Sequence, residues 1–291
     1  MNNALSRSAI LLSTILTMSF STNTLAQDRF ANVEVKATAI KGAVHMITGM
    51  GGNIGVSAGE DGVLIIDDQF APLAEKIAAQ LGELGNDKPK YVINTHYHGD
   101  HTGSNAFFHS HKGATIFAHE NVRIRLASDE KVKPEALPTV TYDDGIKIYF
   151  NGETVHVMHL PVGHTDGDSV VWFEQPDVLH TGDLYFNGMF PYIDQGAGGN
   201  VEGYMQSVQH LLDKIDDDTV VIPGHGSVSN KAEYTAFLEM IRSTFNDVKA
   251  RKANGKSLED IKAAGLAEKW KSYNWNFITE EKWIATLYND A

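Results

Sequence analysis

Apolar positions along the chain fall into short runs separated by glycine and polar turns, and the runs carry two different periodicities. Residues 43–48 and 62–67 (GVLIID) are apolar and β-branched, which predicts two buried strands separated by the glycine-rich turn 49–55. From 72 to 84 the apolar residues Leu73, Ile77, Ala78 and Leu81 recur at helical spacing. Pro72 suits the first turn of that helix, where its missing N–H would have had no partner. Residues 91–95 (YVINT) read as a strand, 115–118 as another, and 119–127 as a helix. A hairpin is expected from 146–150 and 155–160 about Asn151-Gly152, a pair that accepts the positive φ of a two-residue turn. Strands over 170–173, 178–181 and 220–223 and helices over 201–215 and 231–252 continue the pattern. Residues 257–288 read as two short helices flanking 270–278, whose Trp, Tyr and Phe rings are expected to cover the outside of a sheet. Strand and helix alternate throughout, so the fold class is α/β, with sheets covered by helices.

The amino terminus departs from this alternation. Arg7, an apolar run over 9–20 and the small-residue stretch Thr24-Leu25-Ala26 have the layout of a secretory signal cleaved after Ala26. The run is short of the ~20 residues a spanning helix needs, so no membrane anchor is expected. The reading is a signal over 1–26 and one domain over 27–291, located in the periplasm or secreted. Lysine and arginine number 24 against 37 acids, a formal charge of −13, and the resulting field repels nucleic acid and anionic surfaces. A small-molecule substrate is expected instead. The chain has no cysteine, so neither a disulfide nor a thiolate metal ligand is available to it.

The candidate chemistry sits where apolar runs end. Directly after YVINT comes His96-Tyr97-His98-Gly99-Asp100-His101, four metal-ligating side chains in six residues. Side chains two apart on an extended segment point the same way, so His96 and His98 can close on one ion while the turn at Gly99 re-aims Asp100 and His101. His164 in Pro161-Val162-Gly163-His164-Thr165, Asp183 in His180-Thr181-Gly182-Asp183 and His225 in Pro223-Gly224-His225-Gly226 stand in the same strand-then-loop position. The other histidines, including His45, His109, His111, His119, His156, His159, His180 and His210, lack this setting and read as surface or core residues.

The ordered set HxHxDH, GHT, TGD and PGHG resembles the metallo-β-lactamase superfamily over about 44–226. That resemblance implies an αββα sandwich, two sheets between helix layers. Carried over by position, it implies that His96, His98 and His164 hold one metal and Asp100, His101 and His225 a second, with Asp183 bridging. Zinc fits such nitrogen and oxygen donors, and iron and manganese fit them as well. The implied reaction is hydrolysis of a lactone, thioester or β-lactam-like amide by a hydroxide held between the ions, with Asp100 orienting or deprotonating the nucleophile. Phosphodiester cleavage and iron-dependent redox chemistry are the other activities this family carries.

Two stretches bear on the branch. The run from Gly163 through Trp172 (GHTDGDSVVW) and Gly199-Asn200-Val201 are similar to β-lactamases that use a cysteine ligand. In those enzymes a cysteine and, three residues on, a substrate-gripping lysine occupy the positions held here by Asp183 and Phe186. A bridging aspartate resembles glyoxalase II, the acyl-homoserine lactonases and the phosphodiesterases. Asn200 is either a substrate-binding oxyanion donor or a turn and helix N-cap. The loop 184–199 is expected to form an apolar wall over the metals and 49–55 a mobile flap. GMGGNIG lacks the Lys-Ser/Thr ending of a phosphate loop, so no nucleotide is expected.

Overall fold

The computed structural model describes residues 29–291 apart from Pro161, and the segment read as a secretory signal lies outside the described residues. Contacts divide the chain into 1–32 and Val33–Ala291, and every element below belongs to the second unit.

Thirteen strands form two sheets among the described residues. The first runs in chain order: β1 (Lys36–Lys41), β2 (Val44–Thr48), β3 (Ile54–Gly59), β4 (Gly62–Ile66), β5 (Tyr91–Ile93), β6 (Thr115–His119) and β7 (Val140–Tyr142). β1 to β4 form an antiparallel meander, and β4 to β7 pair in parallel. Parallel neighbours need a crossover, and helices α1 (Ala74–Glu83), α2 (Gly99–Thr102), α3 (Asn105–Lys112) and α4 (Glu120–Ser128) lie in those connections. The second sheet has β8 (Gly145–Phe150), β9 (Glu153–His159), β10 (Ser169–Phe173) and β11 (Val178–His180) as another antiparallel meander. Helix α5 (Val201–Leu212) then crosses to β12 (Val220–Ile222), parallel to β11, and β13 (Ser229–Asn230) closes the edge. The carboxyl-terminal part is helical: α6 (Lys231–Ala253), α7 (Leu258–Ala264) and α8 (Glu280–Asp290).

Strand periodicity decides which side chains face which layer. Val44, Met46, Leu64, Ile66 and Ile93 of the first sheet meet Val155, Val157, Val171, Phe173, Val178 and Ile222 of the second in one buried core. On the opposite face of the second sheet, Val170, Leu179 and Val221 pack with Val208, Phe237, Ile241, Trp283 and Leu287 of the helices. The alternate residues of the first sheet, Val63, Ile65 and Val92, are buried on its other side, where α1 turns in Ile77, Ala78 and Leu81. The expected αββα sandwich is therefore the observed one.

The hairpin at Asn151-Gly152 has φ of 55° and 74°, and Phe150 pairs with Glu153 across it, as the Asn-Gly pair required. Two expectations change. The strands over 43–48 and 62–67 are not separated by a glycine turn alone, because β3 begins at Ile54 and lies between them in the sheet. β1 precedes the first strand expected from the sequence: an edge strand with the sequence KATAIK exposes most of its side chains and carries no apolar run. No helix among the described residues is long and apolar enough to cross a membrane.

Candidate metal centre

The two meander-and-crossover halves place equivalent strand ends side by side. β4 leads to Asp67 and β5 to His96. β11 leads to Asp183 and β12 to His225. His164 follows β9 through the loop that precedes β10. The seven sequence-predicted side chains converge there in two groups, His96, His98, His164 and Asp183 in one and Asp100, His101 and His225 in the other.

Asp183 stands between the groups with one oxygen turned to each. Its Oδ2 lies 3.7 Å from His96 Nε2 and 3.5 Å from His164 Nε2. Its Oδ1 lies 3.2 Å from His101 Nε2 and 3.4 Å from His225 Nε2. Asp100 Oδ2 completes the second group, 3.4 Å from His225 Nε2 and 3.7 Å from His101 Nε2. In the first group His98 turns Nδ1 inward, 2.8 Å from His164 Nε2. Four of the seven are at most 5% exposed, whereas His98, Asp100 and His225 keep 18%, 25% and 15%, so the cluster opens to solvent on their side.

Four of the five imidazoles are fixed through their other nitrogen, which sets tautomer and ring orientation. His101 Nδ1 lies 2.7 Å from Asp67 Oδ2, and Asp67 also accepts from Thr95 N (2.7 Å) and Thr95 Oγ1 (2.8 Å). His98 Nε2 is 3.0 Å from Asp194 Oδ2, which accepts from Tyr97 OH at 2.6 Å. His164 Nδ1 faces the Tyr192 carbonyl at 2.7 Å, and His96 Nδ1 faces Thr95 Oγ1 at 3.0 Å. Asp67 stands at the end of an apolar run, the same signal that marked the other acids, so the sequence could have given it. Asp194 carries no such signal.

Charge divides the cluster. Burial holds His96 well below the ordinary histidine range and takes His164 down to about 4, so both present neutral rings with a free lone pair. Burial also acts on His101 and His225, but the surrounding acids outweigh it. Asp183, Asp100 and Asp67 raise His101 well above its ordinary value, and Asp183 with Asp100 raises His225 to about 9. Asp183 is itself buried, yet His101, His225 and His96 hold it well below the usual carboxylate range. The site is thus built around positive charge, and a divalent cation would take the place of those protons. Two buried atoms, His96 Nε2 and Asp183 Oδ1, have no hydrogen-bond partner in good geometry. Buried polar atoms left in this way at the meeting point of nitrogen and oxygen donors fit a metal.

Loops around the donors bear on four expectations. The stretch 49–53 is a strap rather than a mobile flap. Gly52 N donates to the Asp100 carbonyl (3.1 Å), Asn53 N to the Gly224 carbonyl (2.7 Å), and Asn53 Nδ2 to the carbonyls of Pro223 (2.9 Å) and Gly226 (2.8 Å). A Cβ on Gly52 would overlap the His101 ring, and one on Gly224 would overlap Asp183 Oδ1. Asn200 is the N-cap of α5: its Oδ1 accepts from Gly203 N at 2.7 Å. The segment 270–278 reaches the site instead of merely covering a sheet. Trp275 lies 6.3 Å from His225 and 5.6 Å from Phe277, and Phe277 lies 5.4 Å from Tyr192. The loop 184–199 splits between two duties. Leu184, Tyr185, Phe186 and Phe190 are core, while Tyr192 stands 5.6 Å from both His98 and His164. Phe186 stacks on His225 at 5.0 Å and 13°.

A four-layer αββα sandwich with a His/Asp donor cluster at the strand ends defines a class of metal-binding α/β proteins. The family model described as metallo-beta-lactamase superfamily matches residues 47–225, and the chain belongs to that superfamily. A hydroxyacylglutathione hydrolase of a Polaromonas species is 33% identical over 147 residues, 50% of this chain and 51% of its own length. Metallo-beta-lactamase IND-1 of Chryseobacterium indologenes is 29% identical over 150 residues, 52% and 61% of the two chains. The chain therefore spans about half the length of the first of these curated relatives. In fold it is similar to a metallo-beta-lactamase from Pontibacter korlensis, with a TM-score of 0.61 at 20% identity, covering 72% of this chain and 99% of that one. Trp275 and Phe277 lie beyond the stretch the family model matches.

Proposed function

We propose that the chain is a metal-dependent hydrolase holding two divalent ions, zinc foremost, that cleaves a small activated carbonyl compound: a lactone, a thioester or a β-lactam-like amide. The observation that carries this reading is the Asp183 carboxylate, whose two oxygens face two separate sets of nitrogen and oxygen donors. His96, His98 and His164 would hold one ion and Asp100, His101 and His225 the other. Ions bound there supply Lewis acidity and lower the pKa of water, so attack needs no covalent enzyme intermediate.

The protein's own groups supply position and proton handling. Asp100, the most exposed member of the cluster, faces the open side and is suited to orient a nucleophile or take its proton. Its carboxyl is buried enough to resist ionisation, yet His101 and His225 hold it below the ordinary range, so it is an anion at neutral pH. Asp67 and Asp194 keep His101 and His98 in register through hydrogen bonds. Asn200 Oδ1 caps α5, and its Nδ2 is the candidate donor to a substrate oxygen. The named relatives, a hydroxyacylglutathione hydrolase and a metallo-beta-lactamase, support cleavage at a carbonyl carbon over a phosphodiester. Arg7, the apolar run 9–20 and Ala26 support export to the periplasm or beyond, and N-terminal sequencing of the protein from a periplasmic fraction should begin at Gln27.

The test is turnover of zinc-, iron- and manganese-loaded protein and its Asp183→Ala variant on nitrocefin, acyl-homoserine lactones, thioesters and bis-p-nitrophenyl phosphate, with bound metal counted. Two ions per chain and carbonyl turnover reduced by about a thousandfold in the variant are expected. Cleavage of the phosphodiester alone, or redox activity confined to the iron form, would overturn the reading.

A further inference from the structure

Among the described residues the exposed large hydrophobic side chains are Ile124, Val140, Tyr149 and Phe277. Phe277, 51% exposed, is joined ring to ring with the donor cluster, through Tyr192 on one side and Trp275 on the other. Those two routes end on different halves of the cluster. Tyr192 stands against His98 and His164, and Trp275 against His225. His98 and His225 are among the three donors that keep solvent exposure, so the rings border the face through which a substrate must come.

The arrangement is held in place. Trp275 Nε1 donates to the Phe190 carbonyl (2.9 Å), Phe190 N donates to the Tyr273 carbonyl (2.8 Å), and Lys282 Nζ donates to the Phe277 carbonyl (2.7 Å). Lys282 also lies 5.4 Å above the Phe277 ring, and about half of Phe277 remains exposed, at 51%. Behind this surface the buried Phe186 ring stacks on His225. An apolar group fits this surface, since it recovers the burial that a half-exposed phenyl ring forgoes in water.

We propose that Phe277, Trp275 and Tyr192 form the seat for a large alkyl or aryl group attached to the scissile carbonyl, making this chain selective for long-acyl or aryl-acyl substrates. The proposal rests on the hydrolase reading for its reaction but not for its binding. The probes are butanoyl and decanoyl homoserine lactones and thioesters, with the non-hydrolysable decanoyl lactam for calorimetry, against metal-loaded wild type, Phe277→Ala and Trp275→Ala. Wild type should favour decanoyl over butanoyl by about tenfold or more in kcat/KM. Phe277→Ala should cut that preference to about threefold or less and weaken lactam binding by about tenfold, with a much smaller loss on butanoyl substrates and bound metal unchanged. Equal losses on both chain lengths, or no preference in wild type, would overturn the seat and leave the hydrolase. Phe277-dependent lactam binding without turnover of any substrate would overturn the hydrolase and leave the seat, and neither turnover nor binding would remove both.

Discussion

The floor of this site and its rim are assembled from different kinds of sequence. The floor takes His96, His98, Asp100 and His101 from one six-residue segment and adds single residues from loops that follow strands of the second sheet. Its geometry is inherited from sheet register: β4 with β5 and β11 with β12 are parallel pairs, so their ends lie together whatever the loops do. The rim takes Tyr192, Trp275 and Phe277 from segments about eighty residues apart, and none of the three lies in a strand. Its geometry rests on a few hydrogen bonds from 273–282 to neighbouring backbone, chiefly that of Phe190. Function can then divide along the same line, with reactivity set by the part that cannot shift and selectivity by the part that can.

The largest expected break in this contrast is Gly224→Ala. The added methyl overlaps Asp183 Oδ1 and crowds the Gly182 backbone at 2.6 Å, so the carboxylate must leave its place between the donor groups. Bound metal measured by mass spectrometry should fall and turnover should drop by about a thousandfold, while Phe277-dependent binding of the apolar probe persists. Full metal occupancy in this variant would mean that the floor is as yielding as the rim. A smaller effect is expected from Asp67→Asn, which keeps the volume but gives His101 Nδ1 an amide in place of a carboxylate. Competition with a chelator should show about 10–100-fold weaker metal binding. An unchanged affinity would show that Asp67 only supports the Thr95 turn.

The smallest effect separates the two readings of Asn200. Asn200→Ala removes the cap on α5, and thermal unfolding should report a loss of about 1 kcal/mol. With kcat/KM within about twofold of wild type the residue is a cap alone, whereas a loss of about tenfold assigns Nδ2 to the substrate.

Much of the floor was legible in the sequence because each donor follows an apolar run, and a run's end is where a buried strand must release its chain into a loop. Asp67 carried the same mark at the end of GVLIID but stood alone, without a histidine beside it, and its partnership with His101 depends on two strands pairing. β3 was hidden because IGVSAG mixes small residues with glycine and merges with the turn before it. Tyr192 lies in the loop 184–199 that was expected to wall the metals, but the carboxyl-terminal part of the rim was illegible. Nothing local distinguishes Trp275, which reaches His225, from Trp283, which fills the helical core at 0% exposure. Only the docking of the carboxyl-terminal segment separates them.

The strap at 49–53 has a consequence for how a protein of this design diversifies. Its backbone is sewn to Asp100 on one side and to Gly224 on the other, the Asn53 side chain ties it to Gly226, and Gly52 has no room for a side chain. Drift in this stretch would disturb the donors themselves, so selection is expected to hold it still. The segment 270–278 is tied to Phe190 and not to the donors. Lineages sharing the reactive floor would therefore record their different diets in the carboxyl-terminal tail.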